Sequence, residues 1–142
     1  MLVAIAVMGV LVTGMVALSE YVLALPLKLI AAFGWGEIAK LYPGRDDLPA
    51  RQHYFCTVRV NWMGYGSCTI VSVGDGTVNL ACMFPFRSYH RPISLPIGAL
   101  ELYSASVRRF RLTEFKVGNT SHSVWLPSWA ASEVVGSQTE RH

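Results

Sequence analysis

Three cysteines and four histidines are the side chains of this 142-residue chain best suited to metal binding or nucleophilic work. Cys56, Cys68 and Cys82 show no C-x-x-C pair and no zinc-ligand spacing. His53 stands three residues before Cys56, His90 sits in an arginine-rich loop, and His122 lies between two serines. None has an acidic residue at a motif spacing, so a triad would have to be assembled wholly by the fold. Asp46-Asp47 follows Arg45 in a turn-rich stretch and reads as solvated carboxylates, and Gly64-Tyr65-Gly66 is G-x-G without the rest of a phosphate loop. Asn119-Thr120-Ser121 fits a glycosylation sequon but reads as a turn. These residues predict a protein with no catalytic, metal or cofactor site.

The other cluster with chemistry in it is basic and aromatic. Phe84, Phe86, Arg87, Tyr89, His90 and Arg91 share one loop, and Arg108, Arg109 and Arg111 follow on a later strand. Beside an anionic membrane each cation near the surface gains about 1 kcal/mol. Arg87, His90, Arg91, Arg109 and Arg111 are therefore the expected contacts for anionic lipid or a partner protein. Alternatively they form a solvated face paired with Glu101 and Glu114, where ion pairs are weak.

A membrane comes into the argument through the N-terminus. Mean hydropathy is +0.37 with 52% hydrophobic residues, and the excess is concentrated at one end. Of the 12 Lys and Arg and 9 Asp and Glu residues, only Glu20 and Lys28 precede Glu37. Roughly 20 apolar residues cross about 30 Å of hydrocarbon, so residues 2–33, about 48 Å as helix, are more than enough. Pro26 removes a helical hydrogen bond and is the expected break. Residues 1–25 then form a transmembrane helix and residues 26–42 an amphipathic interfacial helix, with Lys28, Trp35, Lys40 and Tyr42 at the membrane interface. The alternative for this second piece is a helix packed on the domain. Ala17-Leu18-Ser19 has the small residues of a signal cleavage site, but hydrophobicity resumes after it, so the helix is expected to stay. Lys28, Lys40, Arg45 and Arg51 follow the span and no basic residue precedes it, which predicts a single-pass protein with a cytoplasmic C-terminal domain.

Residues 43–52 read as a linker and residues 53–135 as a β domain, because short β-type runs alternate there with Gly and Pro. Gly74-Asp75-Gly76 predicts a hairpin. With all three residues in the loop, Val73 faces Thr77 and Cys68 faces Cys82, and Cys68, Ile70, Val78, Leu80 and Cys82 share the core face. The two thiols are then expected to pack as small hydrophobes. A second hairpin is expected across Gly118-Asn119, and a closing helix after Pro127. Residues 136–142 are polar and expected to fray. The fold class is therefore α+β: a transmembrane helix, a small, mostly antiparallel β domain and a short C-terminal helix.

The run from Gly66 to Gly76, with Phe84-Pro85-Phe86-Arg87 and the segment from His90 to Pro96, resembles a pattern in small, uncharacterised bacterial membrane-anchored proteins. The order of strand, turn and proline-preceded strand over residues 54–135 is also similar to PH-like and GRAM-like barrels. That resemblance implies lipid or protein binding rather than catalysis. The expectation is a non-enzymatic, membrane-tethered interaction module contacting lipid headgroups or a membrane protein partner. The alternatives are a structural subunit of a membrane complex and, less favoured, an anchored enzyme. A net charge of +3 gives no reason to expect nucleic acid, and the sequence does not fix the oligomeric state.

Overall fold

The apolar N-terminal run folds as one helix, α1 (Leu2–Ala32), which continues through Pro26 without a break. The computed structural model describes residues 2–45, 51–107 and 111–140. Proline costs α1 one hydrogen bond, but Pro26 is exposed and the helix continues on both sides of it. The threonine and serine hydroxyls in α1 bond back to its own carbonyls, Thr13 Oγ1 to Gly9 and Ser19 Oγ to Val16, both at 2.8 Å. Residues 5–32 are long and apolar enough to cross a membrane, and their most apolar window is not buried against the chain at all.

The break falls instead at Gly34, whose φ of +86° is open to glycine and strained for other residues. It turns the chain into α2 (Trp35–Leu41). Trp35, Ile38 and Ala39 of α2 are buried in the main core, which corrects the expectation of an interfacial helix over residues 26–42. The same i, i+3, i+4 apolar stripe suits a bilayer surface or a sheet, and here the sheet takes it.

Seven antiparallel strands follow: β1 (His53–Val60), β2 (Met63–Gly74), β3 (Thr77–Cys82), β4 (Ile93–Pro96), β5 (Leu100–Val107), β6 (Leu112–Val117) and β7 (Ser123–Pro127). Their order is β4-β3-β2-β1-β7-β6-β5, so the two edges are consecutive in sequence and joined by the 3-10 turn Ile97–Ala99. The sheet curls into a near-barrel around Val58, Leu80, Leu95, Phe115 and Leu126, all fully buried. Bulges at Phe55 (φ 56°) and Ser67 (φ 51°) sharpen the curl between β1 and β2. The last helix, α3 (Ser128–Thr139), starts directly after Pro127 and buries Ala130, Ala131 and Val134. Its Gln138 Nε2 donates to the carbonyls of Ile97 at 3.0 Å and Leu100 at 2.6 Å, tying the helix end to the turn between the two sheet edges. Residues 136–139 are thus helical and anchored rather than frayed. The α+β architecture is the one expected, with a long apolar helix, a near-barrel and a short C-terminal helix.

Register differs from expectation in one hairpin. Gly74 pairs with Thr77, so the loop has two residues, Asp75 (φ 51°) and Gly76 (φ 74°), the left-handed pair of a type I′ turn. Cys82 therefore faces Thr69, not Cys68, and the core face carries Val71, Val73, Val78, Leu80 and Cys82 while Ile70 lies on the opposite one. One residue of loop length moves every partner by one position. The cysteines Cys56, Cys68 and Cys82 are all free.

Candidate functional site

The β3–β4 connection is built as a rigid shelf. Arg87 N donates to Met83 O at 3.1 Å, and Tyr89 N and His90 N both donate to Phe86 O, at 3.0 and 3.1 Å. His90 Nδ1 lies 3.0 Å from the same carbonyl, which can only accept, so Nδ1 carries the proton and Nε2 is bare. That Nε2 and Tyr65 Oη are buried without a hydrogen-bond partner among the described residues. Trp35, Tyr65 and His90 meet edge to face, with centroids 5.0 to 5.6 Å apart. Burial penalises the imidazolium and lowers the His90 pKa, the Phe86 carbonyl opposing this weakly. His90 is therefore a neutral core residue, and the expectation that it contacts lipid is corrected by its burial.

Two contacts bring this shelf to the end of the apolar helix. Trp35 Nε1 donates to Arg91 O at 2.7 Å, and Gly44 N donates to Pro92 O at 2.9 Å. On the helical side, a Cβ at Gly36 would lie 2.6 Å from Ala31 O, so only glycine lets α2 fold back this tightly on α1. Between them opens a cleft of about 390 Å³ with Ala31, Trp35 and Ala39 among its walls and Lys28, Lys40, Arg91 and Tyr89 lining it. No acidic side chain lines it, and among the described residues no carboxylate lies within 4.0 Å of any of the three cations. Three positive charges that meet no carboxylate among the described residues, with a tyrosine around a small concavity, suit a phosphate-sized anion.

The fold thus joins two groups of expected residues that are far apart in sequence, Lys28 and Lys40 with Arg91. Of the residues expected at the membrane interface, Trp35 is fully buried in the core, and Tyr42 is half-buried, with its carbonyl accepting from Ser94 N at 3.1 Å. Arg87 is exposed on the shelf outside the cleft. Arg111 is exposed at the start of β6, its carbonyl held by Ser128 N and Oγ, at the end of the β6–β7 pair remote from Gly34. Arg109, like Arg108, Asp46 and Asp47, lies outside the described residues. No family model, curated protein or solved structure matches this chain.

A second concavity of about 590 Å³, on the other side of the α1–α2 junction, escaped the sequence reading. Its charges are mixed. His122 Nδ1 accepts from Asn61 Nδ2 at 3.1 Å and lies 3.7 Å from Glu37 Oε2, while Arg59 sits over the Trp125 ring at 5.6 Å. The cross-strand pairs Arg59–Trp125 and Trp125–Glu114 align these side chains in a row on one face of the sheet. Asn61 also accepts from Ser123 N at 2.9 Å, so it staples β1 to β7. The remaining histidine in a described strand, His53, stacks on Trp129 with centroids 4.0 Å apart. The described residues hold no group of three or more His, Cys, Asp or Glu able to share a metal ion.

Proposed function

We propose that this chain is a non-enzymatic, membrane-tethered module whose Lys28–Lys40–Arg91 cleft holds the phosphate of an anionic lipid headgroup. The observation that carries the reading is the convergence of three cations, unpaired among the described residues, at the end of a helix able to span a bilayer. Residues 5–32 measure about 42 Å, some 12 Å more than the hydrocarbon needs, so the last turns of α1 emerge among the headgroups. Lys28 lies in those turns, and its long side chain reaches the phosphate level. Lys28, Lys40, Arg45 and Arg51 all follow the span, and this excess supports a cytoplasmic β body facing the more anionic leaflet.

Native mass spectrometry of the full chain released from detergent, titrated with phosphatidylglycerol and separately with phosphatidylcholine, tests the reading. At about 1 kcal/mol per cation, the three side chains together favour the anionic lipid by about 100-fold. The Lys28→Ala, Lys40→Ala, Arg91→Ala triple variant loses that preference while its circular dichroism is unchanged. Equal retention of the two lipids by the native chain refutes the headgroup site.

A further inference from the structure

Phe84 is 87% exposed, more than any other large apolar side chain described in the chain. Its position is not left to chance. Phe86, two residues on, packs against the core, Met83 N donates to Cys68 O at 2.8 Å, and the shelf's backbone hydrogen bonds fix everything between. The fold holds an aromatic ring outward on a stiff support, where water gives it nothing.

What it faces is α1. Phe84, Pro85 and Tyr89 line a groove of about 720 Å³ with Ala17, Tyr21 and Ala24 on one face of that helix. The same face, continued by steps of three and four residues, carries Lys28 and Ala31, which line the basic cleft, and Tyr89 lines both concavities. Along α1 the order is therefore apolar groove, then cations. Ala17 lies eleven residues before Lys28, about 16 Å along the axis, and Ala24 about 6 Å. With the Lys28 ammonium among the lipid phosphates, the loop reaches below the phosphate plane. Glu20 also lines the groove, as its one carboxylate.

We propose that residues 84–89 are a second membrane-contacting element, which sinks Phe84 into the acyl-chain region of the leaflet nearest the β body, alongside α1. The occupant of the exposed face is lipid, and two features of the structure commit to it. The face is continuous with the helix able to span the bilayer, and the side chains beyond it, Arg87, Arg91 and Lys28, are cationic where phosphates would lie. The proposal rests on α1 being in the membrane, as the proposed function does, but not on the cleft binding a headgroup.

Depth-dependent quenching in the full chain, reconstituted in phosphatidylcholine–phosphatidylglycerol vesicles, tests it. A nitrobenzoxadiazole label is placed on Phe84→Cys, on Leu11→Cys within α1, and on Asp75→Cys in the hairpin turn at the far end of β3. The native chain, labelled in parallel, gives the background from its own thiols. The label at position 84 is expected to behave like that at 11, losing most of its fluorescence to doxyl-labelled acyl chains and little to aqueous iodide, with position 75 the reverse. If 84 behaves like 75 while 11 is quenched by doxyl lipid, the loop is in water and the proposal is overturned with the anchor intact. If 11 also behaves like 75, the membrane placement of α1 fails and takes the proposal with it.

Discussion

Replacing Trp35 separates a helix that belongs to the β body from one that lies on the membrane. The side chain is fully buried, meets the rings of Tyr65 and His90 at 5.0 and 5.6 Å, and donates to Arg91 O at 2.7 Å. Emptying a buried aromatic site costs about 3–5 kcal/mol. The stranded Arg91 carbonyl adds about 1 kcal/mol. Trp35→Ala should therefore destabilise the body by about 4–6 kcal/mol, a quarter or more of the margin of a domain stable by about 5–15 kcal/mol. Trp35→Phe keeps most of the buried area, loses the N–H, and should cost only about 1–2 kcal/mol. A tryptophan at headgroup level would instead give changes within about 0.5 kcal/mol, as surface substitutions do. Urea unfolding of the full chain in mild detergent, followed by near-ultraviolet circular dichroism, reads the body while α1 stays in the micelle. A cost below about 1 kcal/mol for Trp35→Ala would refute the placement of α2 in the core.

Two further outcomes follow from buried titratable groups. Burial lowers the folded pKa of His90 below its unfolded value of about 6.5, so the unfolded chain binds more protons just below that pH. The stability His90 contributes is complete above about pH 6.5 and falls as acid carries the pH down toward the folded pKa; His90→Gln should flatten this slope just below about pH 6.5, and an unchanged slope would remove His90 as its source. Burial also pushes the thiols of Cys82, Cys56 and Cys68 up, suppressing the reactive thiolate. Ellman's reagent at pH 8 should react slowly with the native chain and count all three free thiols in denaturant without reductant; a count below three would contradict the free cysteines.

Periodicity and turn chemistry made much of this fold readable from sequence. The aliphatic run before Gly34, the β-type runs, the Asp75-Gly76 turn and Pro127 ahead of α3 are all local signals, and each sits where local physics puts it. The errors arose where two environments favour the same pattern. Trp35, Ile38 and Ala39 make one apolar stripe whether it meets lipid or a sheet. Pro26 breaks a helix in most settings, yet here it lies exposed inside α1 and the helix carries it with one lost bond. The hairpin register hung on whether Gly74 belongs to the strand, a single-residue choice. The cleft was half legible: its cations were singled out in two separate groups, Lys28 with Lys40 and Arg91 with its loop. The Trp35–Arg91 and Gly44–Pro92 bonds and the close approach at Gly36 join them, and none of these contacts leaves a trace at sequence distance.

The passage from α1 to the core takes very few residues: α1 ends at Ala32, Gly34 turns the chain, and Trp35 is already inside the β body. Such a body has no slack with which to search. On the proposed reading it samples only lipids diffusing past its own flank, always at one height and in one pose, so the leaflet acts as a reservoir of very high effective concentration. An intrinsic affinity far too weak to recruit a free protein from solution is then sufficient to keep the cleft occupied. Rotation of α1 about its axis would also carry the cleft with it, coupling whatever neighbours the helix contacts to the lipids the body meets.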